Sequence, residues 1–429
     1  MSSNPNKISV AGDVDIQEVV IITSKGFAQD ISKQVAAIEI YEDMFATFIT
    51  GKIFVRDSQE LTNFLPLVGE EVVRFRVATP SLPDDEIYQG EYFVYKMDDK
   101  AKISERESLY VLHFISKEAI SDLNKKISRA YKGKVSDIAK ELIESQYGLE
   151  TKKRYNIEET KNETKFISNW WTPVQALTYA ADSAYNMDDS PTYTFFENKH
   201  GLNFVSFDSL YNGAIKQRFI WDNYTREVST ASGTASRDIQ KDYQRILEFE
   251  TPQTFNYMER LQSGFYGSEL ITYDILTKQY VHVGYGALFN ATKHLNPNPM
   301  WTDNVPARTK ALMIYGSKYY NNFEDFKDVT NTAFIMKRKA LMAQAEGSKL
   351  TITVLGRTDY SAGQRVYVEL PKNTQIKKTD EQTLDMLLSG NYLIGAICHL
   401  ITRENHQCVM ELIKDSYIVN LNDPNNTFA

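Results

Sequence analysis

Cys398 and His399 stand side by side near the end of this 429-residue chain, with His406 and Cys408 a few positions on, and Cys398 and Cys408 are its only cysteines. By type these four side chains make a zinc ligand set. The surrounding text, however, reads as a hairpin of two strands, about 391–402 and 406–415. Adjacent strand residues point to opposite faces, so Cys398 and His399 diverge. One hairpin cannot then gather all four ligands, and the expectation is no metal site, with the cysteines acting as small apolar core residues. His113, His200, His282 and His294 stand isolated, without a partner at useful spacing.

Other chemistry is equally sparse. Asp84-Asp85, Asp98-Asp99 and Asp188-Asp189 sit in turn-like text and read as solvated loops. No glycine-rich phosphate loop is present, since the Gly-Tyr-Gly at 284–286 lacks the third glycine and the spacing. Neither HExxH nor GxSxG occurs. The expectation is no enzyme, no catalytic residue and no cofactor. Trp170 and Trp171, just ahead of Pro173, could form a stacking platform for a sugar or a base. Few basic residues accompany them, so aromatic packing at a domain junction is the favoured reading, and Trp170, Trp171 and Pro173 are the candidates for an interface role.

These residues must be positioned by a chain that alternates between two periods. Residues 16–116 read as strands: Ala46–Val55 is apolar on both faces, and Val73, Phe75 and Val77 alternate with Val72, Arg74 and Arg76. The period then changes to helical. Ser116 can cap a helix carrying Ile120, Leu123, Ile127 and Tyr131, and a second helix carries Val135, Ile138, Ala139, Leu142, Ile143 and Tyr147 up to Gly148. Thr172, Pro173 and Gln175 give a third helix its capping box. A hairpin at 192–210 turns near Asn198–Gly201, the stretch 229–236 is a flexible connector, and a helix runs from Thr332 to Glu346. Strand alternation returns at Leu350, Ile352, Val354 and at Val366, Val368, Leu370. A weak repeat is visible: Lys52–Val55 leads through a loop into Gly69-x-x-Val72, and Leu350–Val354 leads through a loop into Gly363-x-x-Val366.

Composition bounds the class. The chain is 42% hydrophobic and 24% charged, ordinary for a soluble globular protein of several domains. Its net charge of −8 argues against a nucleic-acid grip, which needs a basic face. No apolar run is long enough to span a membrane. The opening MSSNPNKISVAGDVD lacks the basic and apolar regions of a secretory signal. With two cysteines there is no disulfide framework, which fits maturation in a reducing cytoplasm.

The order of several stretches resembles the central baseplate hub subunit of T-even-like contractile phage tails, whose fold is shared with the N-terminal part of type VI secretion spike proteins. They are IYEDMFATFITGKIFVRDSQELTNFLPLVGEEV (40–72), WWTPVQALTYAADSAYN (170–186) with YTFFENKHGLNFVSFDSL (193–210), GFYGSELITYDILTKQY (264–280), and SGNYLIGAICHLI with ELIKDS (389–416). The resemblance implies an α+β, β-dominated chain of two tube-like β-barrels with α/β inserts. An N-terminal arm would occupy 1–15, the first barrel 16–117, an α-rich insert 118–204, the second barrel 205–255 with 348–418, a mixed α/β insert 256–347, and a C-terminal tail 419–429.

It also implies a homotrimer that adapts a sixfold tail tube to a threefold spike and forms a channel for DNA. The partners would be a trimeric spike, a tube or tube-initiator protein and other baseplate proteins, with no specific nucleic-acid recognition. The place would be the virion tail baseplate, assembled in the host bacterial cytoplasm. An acidic channel would let DNA slide without sticking. No repetitive Val-Gly-rich tract and no lysozyme-like segment occurs, so the spike is expected on a separate chain. The alternatives are the hub of a related secretion or contractile injection system, and a tail-tip cell-wall hydrolase.

Overall fold

A computed structural model describes residues 10–59, 61, 67–80, 82–83, 86–104, 107–221, 239–253, 255–273, 278–286, 289–302, 311–315, 332–372 and 384–423. Residues 1–9 of the expected arm, the connector 229–236 and residues 424–429 of the expected tail lie outside them. Strands hold 49% and helices 19%, so the chain is α+β and β-dominated.

The first half is a run of strands, β1 (Asp15–Ile22), β2 (Ala28–Asp30), β3 (Val35–Asp43), β4 (Thr50–Asp57), β5 (Val72–Ala78), β6 (Tyr88–Ser104) and β7 (Glu107–Ser116). They pair antiparallel in the order β2-β1-β5-β6-β7-β4-β3. β5 shows why: Val73, Phe75 and Val77 are fully buried, while Arg74 is exposed and Arg76 half-buried. Burying a side chain of that size contributes roughly 1.5–3 kcal/mol, and the alternation fixes which face turns inward. Val19, Ile38, Ile53, Phe75, Leu112 and Phe114 share the resulting core.

An insert follows: α1 (Lys117–Asn124), β8 (Ile127–Lys134), α2 (Val135–Glu144), β9 (Tyr155–Ile157), β10 (Glu163–Trp171), α3 (Pro173–Ser183), β11 (Tyr193–Asn198) and β12 (Gly201–Ser206). It has its own core, built from both helices and strands. Here the sequence expectation needs correction. The first helix ends at Asn124, Leu123 is exposed, and Ile127 and Tyr131 lie in β8, paired antiparallel to β10. Residues four apart share a face in a helix and in a strand alike, so that pair could not separate the two periods. The second helix ends at Glu144, leaving Tyr147 exposed. Ser116 sits at the N-cap of α1 without capping it, because its hydroxyl donates to Glu197 Oε2 at 2.5 Å. The expected capping box is present: Gln175 N–H donates to Thr172 Oγ1 at 3.2 Å and Thr172 N–H to Gln175 Oε1 at 2.9 Å.

The rest comprises α4 (Phe207–Tyr211), β13 (Ile215–Ile220), α5 (Ile239–Gln244), β14 (Ile246–Gln253), α6 (Tyr257–Ser263), β15 (Gly267–Tyr273), β16 (Tyr280–Gly286), β17 (Asn298–Pro299), β18 (Ala311–Tyr315), α7 (Thr332–Ala345), β19 (Ser348–Leu355), β20 (Arg365–Glu369), β21 (Gly390–Thr402), β22 (His406–Lys414) and β23 (Ser416–Tyr417). β15, β16 and β18 form a small sheet of their own, on which α7 packs. β21, β22, β19 and β14 continue the main sheet from β3, and β20 branches from β21 to carry β13. Leu350, Ile352, Val354, Val366, Val368 and Tyr392 lie in a second large core.

The strand path repeats. The first half runs β1-β5-β6-β7-β4-β3, and the second runs β13-β20-β21-β22-β19-β14. The pairing senses match at every step but one, where β13 lies parallel to β20 and β1 antiparallel to β5. Bulges match as well. The ladder shifts between Val94 and Lys96 in β6 and between Ile394 and Ala396 in β21, then between Val35 and Ala37 in β3 and between Ile246 and Glu248 in β14. Gly69 and Gly363, the glycines of the sequence repeat, take φ of 90° and 88° ahead of β5 and β20. Only glycine takes that conformation without steric cost.

Candidate functional site

The two halves meet where β21 lies against β3. Along Ala396–Thr402 this strand pairs with Asp43–Ala37 of β3, and its Ile401 is buried in the first core. One face of this seam, with Ile38, Ile40, Glu42, Ile397, His399 and Ile401, is buried, so any polar group on it must find partners. Glu42 does. It accepts from the Tyr88 hydroxyl at 2.7 Å, from Lys199 N–H at 3.0 Å and from Ala362 N–H at 3.0 Å, tying together β3, β6, the β11–β12 turn and the loop before β20. Burial pushes its carboxyl up to about 7, against the pull of those hydrogen bonds and of the Lys199 charge. Lys199 is buried in turn, and its ammonium donates to Glu86 Oε2 at 2.7 Å and to the Thr358 carbonyl at 2.6 Å.

Beside Glu42 lies a cluster of His399, His406 and Cys408, all fully buried. Its geometry comes from the hairpin. His399 stands directly opposite Cys408, and His406 is two residues from Cys408, so the three side chains share one face. His399 Nδ1 lies 3.0 Å from His406 Nε2, and Cys408 Sγ lies 3.3 Å from the first and 3.6 Å from the second. The outward nitrogen of His406, Nδ1, is buried without a hydrogen bond, while His399 has the Tyr360 backbone as a partner. Burial holds both imidazoles well below their ordinary range, and so neutral, and holds the Cys408 thiol well above its own. Cys398 faces away as the strand period requires and remains half-buried. The four sulfur and imidazole groups thus do not converge, but three of them do. Parity counted across the turn at 403–405 would have found the trio; parity within one strand finds only the divergence of Cys398 and His399.

A second buried network joins the first insert to the first half. Glu197 accepts from Ser116 Oγ, from Ile49 N–H at 3.2 Å and from Lys153 Nζ at 2.6 Å, and Lys153 also pairs with Glu118 at 2.6 Å. Burial raises the Glu197 carboxyl, with the Lys153 charge opposing. Elsewhere Asp415 accepts from His294 at 2.7 Å and from Leu295 N–H at 3.1 Å. His282 pairs with Glu269, and His113 with Asp98. The expectation of isolated histidines is therefore corrected for these three: the His294 partner lies 121 residues away in sequence. Each of these carboxylates is committed to fixed donors. Glu42, Glu197 and Asp415 thereby hold separate elements together.

The tryptophan pair divides. Trp171 is half-buried and packs on Phe166 and Tyr179, with ring centroids 6.0 and 5.0 Å away. Trp170 is 68% exposed, with a left-handed φ of 60°, at the bulge where β10 shifts register against β8. Pro173 is buried at the first turn of α3.

This architecture is similar to that of solved phage tail proteins. It is similar to a tail protein from Neisseria meningitidis, at 13% identity with a TM-score of 0.56, over 94% of this chain and 97% of that one. A prophage tail protein from Shewanella oneidensis is similar at 11% identity and a TM-score of 0.56, over 93% and 99%. A prophage tail protein from Listeria monocytogenes follows at 10% identity and 0.50, over 92% and 94%. No protein-family model matches the sequence, and no curated protein matches it. Identities this low speak for the fold.

Proposed function

We propose that this protein is a structural hub of a contractile phage-tail baseplate: a homotrimer that joins a sixfold tail tube to a threefold spike and encloses a DNA channel. The repeated strand path carries the reading. A chain with two like halves, used three times, offers six like units around one axis while keeping threefold symmetry.

The edges support it. β3 lies on β21, and β14, the counterpart of β3, pairs with β19 alone among the described residues. β6 is the counterpart of β21. Beyond its bulge, β6 pairs with β7 and with no other strand among the described residues. Laying β14 of one copy on β6 of the next would repeat the β3–β21 seam and close a ring of six halves. β14 exposes Glu248 and Glu250, and the matching part of β6 carries Lys96, Lys100 and Lys102 beside Asp98 and Asp99, with Lys96 paired to Asp98. The domain limits expected from the sequence, the spike and tube partners, the virion location and the acidic channel belong to the same proposal, as does a structural role in place of an enzymatic one. A hub of a related injection machine has the same geometry.

The test is mass in solution by light scattering, with and without the candidate spike. About three times 49.2 kDa is expected. Reversing Glu248 and Glu250 to lysine should yield folded monomer, and reversing Lys100 and Lys102 to glutamate in the same chain should restore the trimer. A wild-type monomer at micromolar concentration that ignores both spike and tube protein sinks the proposal.

A further inference from the structure

We propose that His399, His406 and Cys408 bind one zinc ion, which clips the β21–β22 hairpin at the seam between the two halves. The first support is distance. Two imidazoles roughly 2.0–2.1 Å and a thiolate roughly 2.3 Å from a tetrahedral zinc place nitrogen from nitrogen at roughly 3.3 Å and nitrogen from sulfur at roughly 3.5 Å. The observed separations are 3.0 Å for the nitrogens and 3.3 and 3.6 Å for sulfur, each within a few tenths. The three lone-pair atoms face one another, so a metal would sit among them without a change of rotamer.

The second support is preorganisation. The His399 ring packs edge-on against Tyr88, with centroids 5.3 Å apart. The His406 ring lies so close to Gly356 that a Cβ there would come within 2.3 Å of it. Neither ring has room to swing away.

The chemistry of the donors selects the ion. Soft sulfur with imidazole prefers zinc or copper to magnesium or calcium. The fourth tetrahedral position falls to a water or a backbone oxygen.

The test uses the full chain expressed in zinc-supplemented medium, desalted and measured by elemental analysis. About one zinc per chain is expected, falling at least tenfold in His406→Gln and in Cys408→Ser. Cobalt(II) added to chelator-stripped protein should give a thiolate charge-transfer band that saturates at one equivalent and is absent in Cys408→Ser. Circular dichroism of each variant separates loss of metal from loss of fold. Should a variant fail to fold, the cobalt titration of the wild type still decides. Folded wild type that carries no zinc and gives no cobalt band overturns the proposal, as does zinc retained in the variants. Copper or iron in place of zinc overturns the choice of ion.

Discussion

Glu42 offers a quantitative test of how dry the seam is. Its carboxyl is buried, and its pKa is pushed up from 4.5 to about 7, chiefly by burial. A carboxyl with a raised folded pKa binds its proton more tightly folded than unfolded. Its contribution to stability is therefore full below about pH 4.5 and is lost as pH rises through 7. Two and a half units at 1.36 kcal/mol each give roughly 3 kcal/mol. Other groups titrate in the same window with opposite sign. His399 and His406 have lowered values, so they cost stability as pH falls below about 6.5. The informative quantity is then the difference between wild type and Glu42→Gln, because the amide mimics the protonated acid and does not titrate. Tyr88 and Lys199 can still bond to its oxygen, while the hydrogen bond from Ala362 is lost at every pH alike. Relative to wild type the variant should gain roughly 3 kcal/mol between pH 4.5 and pH 8, a shift of roughly 6–12 °C in melting midpoint for a cooperative unit of ordinary size. Thermal melts of both proteins across that range measure it. A difference that stays constant with pH would mean that Glu42 ionises in the fold as it does in water, and the argument for a desolvated seam would be wrong.

The tryptophan pair predicts a split. Trp171→Ala should cost the insert roughly 2 kcal/mol, about half of a full aromatic deletion, seen as an earlier melt. Trp170→Gly should leave the fold intact or stabilise it by up to about 1 kcal/mol, because glycine relieves the left-handed backbone; any loss it causes in binding spike or tube would then report an interface. Thr172→Ala, which removes the capping box of α3, should destabilise by about 1 kcal/mol, and a melt indistinguishable from wild type would show that tertiary packing alone holds that helix.

Legibility followed the physics of local pattern. Alternation at Val73, Phe75 and Val77, and again at Leu350, Ile352 and Val354, identified strands because each buries one face. The capping box at Thr172 was legible because its partners are three residues apart. β8 was not, since Ile127 and Tyr131 satisfy both periods. The buried networks were hidden for a different reason. Glu42 reaches Tyr88 across 46 residues and Ala362 across 320, and nothing in the spacing of a single sequence reports such pairs. The His399, His406 and Cys408 trio lay between these cases, available to a count of strand parity carried across the turn.

The repeat also explains why the two halves look so different in sequence while following one path. A seam formed once inside a chain can bury one face for good, and β3 and β21 meet there through Ile38, Ile401, Glu42 and the histidine cluster, while Glu39, Tyr41 and Cys398 on the other face are half-buried. An edge that must wait in solution for a second copy is a template for wrong pairing unless it is charged. β14 and the outer part of β6 carry that signature, with Glu248 and Glu250 on one and Lys96, Asp98, Asp99, Lys100 and Lys102 on the other. On the proposed ring, the same joint is built twice under opposite solvent constraints: buried on one face where it is permanent, charged where it must assemble. Association should accordingly weaken with rising salt, because exposed pairs are screened within about 8–10 Å at physiological ionic strength, whereas the fold of each chain, held by its buried seam, should not. Light scattering and circular dichroism across a salt series separate the two, and dissociation that always coincides with unfolding would contradict the distinction between the joints.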